Sequence, residues 1–417
     1  MKYQSFTSPR CKIFVEMDKT LKISREKCIT CKGRLLCGLP ACPILEQVKV
    51  QRLKKEKLRK NFQGPAPSLF VSWHDYPNVN VGFLSLPFHT EDSMIYDDPA
   101  RWYGLGFPEI IEYRSSLVRS MEKCNVKDKG KLTQNLEEIS ASEIPVEVEI
   151  GLKSKPKFQV VFSAIAQPMG PFGKLKSFKI TENPKIPKKV DRILGDELKA
   201  ADSLNLLYRK GLDVYYLERI FSAGILGNER KLVPTRWSIT AVDNILSNRM
   251  IDEIKNFKIL ENFKIFSNSY LGNHFEILLM PERWRYEQLE AWVPNTFWTL
   301  GLSEIKLIGE HETYFGRSDY AIREGGGYYA VRFAVCELLK SMRRQATVLV
   351  FRETSKDYYL SVGVWECREN IRNAREISEF ESLKDALNDI GGRLRIPIKD
   401  WKKKSIILNQ EKLDHWI

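Results

Sequence analysis

Histidine is scarce in this sequence, five among 417 residues, and none of the five stands in an HExxH pair. Neither GxxxxGK(S/T) nor GxSxG occurs, so zinc-protease, P-loop and serine-hydrolase chemistry find no motif to rest on. His274 and Glu276 form HxE, but the PCxxC partner that a zinc deaminase needs is missing. Long apolar runs are absent too: stretches such as 277–280 and 347–351 stop far short of the ~18 residues that cross a bilayer, and no membrane partner is expected. The start, MKYQSFTSPRCKIF, lacks the apolar segment and small-residue cleavage site of a secretory signal. The expected compartment is the reducing cytoplasm, which makes disulfides unexpected and leaves the eight cysteines as thiols or metal ligands. Proline and glycine are sparse, 19 and 24, which together with 43% apolar residues excludes a disordered or fibrous chain.

What the chain has in excess is positive charge. A formal net charge of +13 favours a polyanionic partner, because lysine and arginine gain affinity by releasing counterions from nucleic acid. The length suggests two or three structural units. Strand and helix patterns mix without a repeat or a regular βαβ alternation, which predicts an α+β fold. We divide it into a small N-terminal four-cysteine metal-binding module with a basic helix (1–65), a mixed core (66–397) and a C-terminal peptide tail (398–417). The QGPAPS segment at 63–68, with two prolines, marks the first boundary. A helix is expected over 44–61, carrying many cations against Glu56 alone between Lys49 and Lys60. Such a ridge is either a solvated face or a contact with a phosphate backbone. Further expectations are a strand at 158–166, helices at 196–210 and 328–341, and a strand pair at 346–352 and 358–365.

Four of the eight cysteines fall close together: Cys28, Cys31, Cys37 and Cys42 read CxxC, five residues, then CxxxxC. Gly33, Gly38 and Pro40 supply the turns that let four sulfurs converge, a pattern that core packing does not explain. Zinc is the expected metal, since four thiolates satisfy its tetrahedral preference. An iron-sulfur cluster is the alternative, because Cys42 is followed by proline as in some cluster-binding ferredoxins, although the middle spacings are longer.

Several core segments have a composition that folding alone does not demand: YPNVNVG (76–82), RSSLVRS (114–120), QPMGP (167–171), VPTRW (233–237), and FGRSDYA followed by GGGYYAVR (315–332). With the cysteine cluster and the end of the chain, they occur in the order found in the archaeal Nre family, which the sequence resembles over almost its whole length. Ser72, Trp73 and His74 stand where the usual family segment has Gly, Arg and Tyr. The resemblance implies an association with DNA repair and binding to the replication sliding clamp PCNA; it implies no particular catalytic activity.

Gly325, Gly326 and Gly327 precede a plausible helix whose first turn presents free backbone amides, a ready anion site. Arg236, Arg317 and Arg332 can add bidentate donors for a phosphate-bearing ligand if the fold gathers them. The other reading of the glycines is a tight turn that lets a helix pack closely. Glu310, Glu312, Asp319 and Glu324 lie nearby as metal ligands, bases or ordinary surface carboxylates.

At the end of the sequence, Gln410, Leu413, Trp416 and Ile417 resemble the clamp-interacting motif, with Ile417 in place of the second aromatic. The three-residue spacing sets Leu413 and Trp416 on one side of a single tight turn, where both can enter one apolar groove with Gln410 at its edge. The leading expectation is a clamp-docked, nucleoid-associated repair factor whose zinc module and core contact DNA or a nucleotide. Alternatives are a clamp-tethered enzyme on a nucleotide or phosphodiester, and a clamp-independent RNA-binding zinc protein.

Overall fold

The computed structural model describes residues 58–158, 167–194, 197–294, 298–299 and 302–410, together with 34, 35, 42 and 45. Apart from Leu45, residues 58–61 and Phe158, the helix expected at 44–61 and the strand expected at 158–166 lie outside the described residues; the last four residues of that expected helix are not helical, and Asn61 opens the first strand. Leu58 is buried in the main core, while Arg59 and Lys60 are exposed.

The first half is built on strands β1 (Asn61–Ala66), β2 (Ser68–Val71), β3 (Asn78–Ser85), β4 (Val118–Asn125), β5 (Val146–Leu152) and β6 (Phe172–Ile180). They form one six-stranded sheet in the order β1-β5-β6-β4-β3-β2. Alternation dictates their faces: in β5, Val146, Val148 and Ile150 enter the core while Glu147 and Glu149 turn away. The QGPAPS segment, read from sequence as a boundary, is not a free linker. Its first four residues belong to β1, which pairs with β5 alone, and an edge strand is where proline is tolerated in a sheet. Gly64 is required there, since a Cβ would lie 2.2 Å from the Leu86 carbonyl oxygen.

Helices follow as α1 (Phe107–Ser116), α2 (Lys131–Ala141), α3 (Lys188–Leu194), α4 (Ala200–Arg209), α5 (Val214–Ser222), α6 (Thr235–Ile254), α7 (Gly326–Met342), α8 (Trp365–Arg372), α9 (Leu383–Arg393) and α10 (Ile398–Lys404). The helices predicted at 196–210 and 328–341 are α4 and α7, the second beginning two residues earlier. Among the described residues, no helix is long and apolar enough to cross a membrane.

The second sheet contains β8 (Phe263–Tyr270), β9 (Asn273–Met280), β10 (Arg285–Trp292), β11 (Lys306–Glu312), β13 (Thr347–Thr354) and β14 (Arg375–Phe380), in the order β11-β10-β13-β9-β8-β14. Two short strands, β7 (Lys258–Ile259) and β12 (Arg344–Gln345), pair beside it. Both faces are covered. Phe275, Ile277, Val348 and Val350 face the main helical core, while Leu278, Met280, Leu289, Leu349 and Phe351 face a second core closed by α9, Trp401 and Ile407. Trp401 is fully buried, edge-on to Phe351 at 5.5 Å. Residues 398–409, assigned from sequence to the tail, therefore belong to the folded body.

One expected strand does not form. β13 is flanked by β9 and β10, so no edge remains for a hairpin partner at 358–365. That segment instead runs irregularly into α8. Tyr358, Tyr359, Leu360, Val362 and Trp365 fill a third cluster with Trp102, Phe107 and Ile110. Its apolar content reflects burial rather than pairing.

Candidate functional site

The motifs singled out in the sequence meet where α7 begins. Gly325 has φ 60°, a left-handed conformation that admits glycine at little cost, and its amide donates to the Ala321 carbonyl at 2.7 Å. Gly326 lies against α6 and the start of α8: a Cβ there would stand 3.2 Å from Val364 Cγ1 and 3.3 Å from Thr240 Oγ1. Gly327 faces Arg352 and Glu290, each 3.8 Å from its Cβ position. The QPMGP segment closes the same region, because Gln167 packs where a side chain at Gly363 would be. The glycines thus serve close packing, and the Gly325 amide of the expected anion site is already taken by Ala321.

The expected arginines are held in different ways. Arg332 is buried and donates to Glu312 at 2.5 Å, to Ser247 at 3.0 Å and to Asn248 at 3.1 Å. Arg317 donates to Glu310 at 3.1 Å and to the Asp319 carbonyl at 2.7 Å, and lies over the Tyr328 ring. Arg236 sits 5.9 Å from the Trp73 ring, one helical turn before Thr240 on α6. Burial lowers its pKa against the pull of Tyr320, whose hydroxyl lies 3.7 Å from the Cβ position of Gly325. The fold therefore brings Arg236, Arg317 and the glycines into one neighbourhood, with Arg332 braced behind α7.

Sequence reasoning did not single out Arg352 or Glu290. They are directly opposite in the parallel register of β13 and β10, and Arg352 Nη1 donates to Glu290 Oε1 at 2.9 Å. Arg352 also donates to Asn273 Oδ1 from Nε and Nη2, and Glu290 accepts from Gln288 and from the Trp292 indole. The available signal was the Arg-Glu pair inside the otherwise apolar TVLVFRET strand. Glu310 and Glu312 pair with Arg317 and Arg332, while Arg352 is shared between Glu290 and the buried Glu366, 3.6 Å away.

Glu324 has no such counterpart among the described residues. The residue is half-buried, yet both carboxylate oxygens are sealed from solvent without a hydrogen-bond partner. Burial drives its pKa well above the carboxylate range, Glu290 and Glu310 push the same way, and Arg352 and Arg317 oppose. The thiols of Cys336 and Cys367 are buried and likewise pushed up, which makes them packing groups rather than nucleophiles. Among the described residues, no group of His, Cys, Asp and Glu is arranged to hold a metal ion. Cys42 is half-buried with a free thiol, and Cys28, Cys31 and Cys37 lie outside the described residues.

A second feature is the root of the C-terminal segment. Three carboxylates on the α9 side of the second sheet hold residues 393–407. Glu276 takes Arg393 at 2.9 Å, Glu353 takes the amides of Arg395 and Ile396 at 2.9 Å, and Glu287 takes the amides of Ile406 at 2.6 Å and Ile407 at 3.1 Å. Asn409 then closes the last turn by donating to the carbonyls of Lys402 and Ser405. Gln410 follows, exposed, with its Oε1 accepting from Arg285 at 2.9 Å. Leu413, Trp416 and Ile417 lie outside the described residues.

Comparison with known proteins places the chain in a family. A family profile described as archaeal Nre, N-terminal, matches residues 36–299, and its C-terminal counterpart matches residues 312–416. The second sheet joins the two matched regions, since β13 of the latter inserts between β9 and β10 of the former. The chain is 34% identical over 387 residues to "DNA repair protein NreB" of Archaeoglobus fulgidus, covering 92% of this chain and 97% of that protein. It is 38% identical over 385 residues to "DNA repair protein NreA" of the same organism, covering 90% and 95%. It is also 38% identical over 360 residues to the NreA of Haloferax volcanii, covering 82% and 85%. No solved structure matches the chain significantly.

Proposed function

We propose, from the premise that this chain belongs to the archaeal Nre family, that it acts in DNA repair while docked on the replication sliding clamp PCNA. The docking residues are Gln410, Leu413, Trp416 and Ile417. The observation that carries the reading is how firmly the chain is held just before the motif. Glu287 and Asn409 pin the chain up to the residue before Gln410, so the motif starts at a fixed, exposed point. A short peptide presented in this way can enter a partner's groove without unfolding its own body.

Burying Leu413 and Trp416 contributes roughly 5 to 8 kcal/mol gross, from about 25 cal/mol per Å². Ordering the segment offsets part of that, leaving an affinity on the order of micromolar. Calorimetry with the clamp tests the reading by comparing the whole chain with one ending at Asn409. Heat of binding is expected only from the whole chain. Equal clamp affinity of the two, or a loss of thermal stability on truncation with no clamp present, overturns it.

Cys28, Cys31, Cys37 and Cys42 are proposed to hold one zinc ion, for which an all-thiolate donor set is suited, with an iron-sulfur cluster as the alternative the metal analysis decides. For the core, a phosphate-bearing ligand is proposed to lie against Gly326, Gly327 and Arg236. Arg317 joins them only by giving up Glu310.

A further inference from the structure

A cleft of about 530 Å³ opens beside the root of the C-terminal segment, between the ends of β10 and β11 on one side and the end of α10 on the other. Its wall carries Arg285, His311, Lys403 and Lys404. The carboxylates close to it are already committed, and Arg285 is itself paired with Glu282, so the excess charge comes from Lys403 and Lys404. Glu312, the one that lines the cleft, is buried and bonded to Arg332 and Tyr328, and Glu287 beneath it is taken up by the 405–407 turn. Lys404 makes no ion pair among the described residues, and Lys403 only reaches Asp400 at 4.0 Å. The lysines are held in place because Trp401, one turn earlier on α10, is locked in the core. The cleft is therefore an excess-positive surface on rigid elements.

A second observation lies at its edge. Thr313 lines the cleft and starts the turn that bridges back at Gly316. Within that turn Phe315 is 93% exposed, its amide donating to Thr313 Oγ1 at 3.3 Å. A phenylalanine so fully in water is not explained by folding, and among the described residues its one ring contact is with Tyr314 at 5.6 Å. Cations that neutralise phosphates beside a bare aromatic face are the two elements of a single-strand binding surface. The backbone lies along the charges and a base stacks on the ring.

We infer that this cleft binds single-stranded DNA, with phosphates against Lys403 and Lys404 and one base stacked on Phe315. The choice of DNA over other polyanions rests on the repair reading; it does not rest on clamp docking. Of the polar side chains in the lining, Asn409 is bonded to the Lys402 and Ser405 carbonyls and Gln410 to Arg285, so little sequence preference is expected.

The test is fluorescence anisotropy of the full chain with a labelled oligothymidylate across a salt series. Lys403→Glu with Lys404→Glu is expected to weaken binding at least tenfold and to flatten the salt dependence by about 1.4 in log–log slope, for two lost phosphate contacts. Phe315→Ala, at an exposed position that does not disturb the core, is expected to weaken binding about fivefold or more with the salt slope unchanged. Unaltered binding by both variants overturns the site. So do competition by thymidine monophosphate at comparable concentration, equal affinity for the duplex, or tighter binding to oligouridylate, which assign the cleft to a nucleotide, to double-stranded DNA or to RNA. Neither variant touches Leu413, Trp416 or Ile417. Clamp calorimetry on the same proteins is expected to be unchanged, which separates failure of this site from failure of the docking reading.

Discussion

Arg285 and Gln410, 125 positions apart, meet at the surface where the last folded turn ends, the guanidinium donating to the amide oxygen at 2.9 Å. Gln410 is the first residue of the proposed clamp motif, so its side chain has to leave Arg285 before it can bond at the edge of a partner's groove. An exposed contact of this kind is worth about 0.5–1 kcal/mol. Replacing Arg285 by alanine is therefore expected to tighten clamp binding about two- to fivefold in calorimetry at fixed salt. Weaker binding in the variant would mean that Arg285 itself faces the clamp.

Glu287 is the anchor of the same root, buried and bonded to the Ser405 hydroxyl and two amides. Glu287→Ala strands these donors, at a cost of about 3 kcal/mol. Thermal unfolding should show the loss, and limited proteolysis should cut near 404–409 in the variant before the parent is cut. A protease pattern like that of the parent would show that α10 alone fixes the root.

Glu324 gives a pH dependence. Its folded pKa lies well above the ordinary 4.5, so between those values the native state holds a proton that the unfolded chain has released. The stability this contributes is fully present below about 4.5 and is lost as the pH rises toward the folded value, at up to about 1.4 kcal/mol per pH unit. Glu324→Gln stays uncharged throughout. The variant should come closest to the parent at low pH and gain on it progressively as the pH rises toward 8, as read by denaturant unfolding. A constant difference across that range would mean that Glu324 is ionised and paired in solution.

Arg368 is fully buried between α5 and α6, where it takes Glu218 and Asp243. Burial raises the pKa of both carboxyls, and Arg368 is what opposes it. Truncation to alanine leaves two buried acids without a cation, a loss of about 3–5 kcal/mol. Because the acids can then take up protons, the loss should be smaller at pH 5 than at pH 8. Equal losses at the two pH values would remove the electrostatic explanation.

The proposed four-cysteine module predicts one zinc per chain by metal analysis of reduced protein. Replacing Cys28 and Cys31 together by serine should abolish it. A full-length preparation with four reactive thiols in the cluster and neither zinc nor iron bound would rule out the metal module.

Family membership was legible in the linear order of motifs, because each is a local string that can be matched without knowing what it touches. The α+β character and the positions of α4, α7 and β13 were legible for a similar reason: helical and alternating periodicities are local consequences of which face meets a core. Partner identity was not. Nothing in TVLVFRET names Glu290 as the counterion of Arg352. That pairing exists because β13 enters between β9 and β10 in a parallel register with β10, a choice made by long-range packing. The same insertion denied 358–365 a strand partner and turned its aromatic residues into core. The tail boundary moved from 398 to 410 because Trp401, beside three lysines in the sequence, and Ile407 find a buried site only once the second sheet is assembled. Charge also read differently in three dimensions. A net +13 is a property of composition, but which cations are spent on Glu310, Glu312 and Glu290, and which remain facing the cleft at Lys403 and Lys404, depends on distances of a few ångströms between residues far apart in the chain.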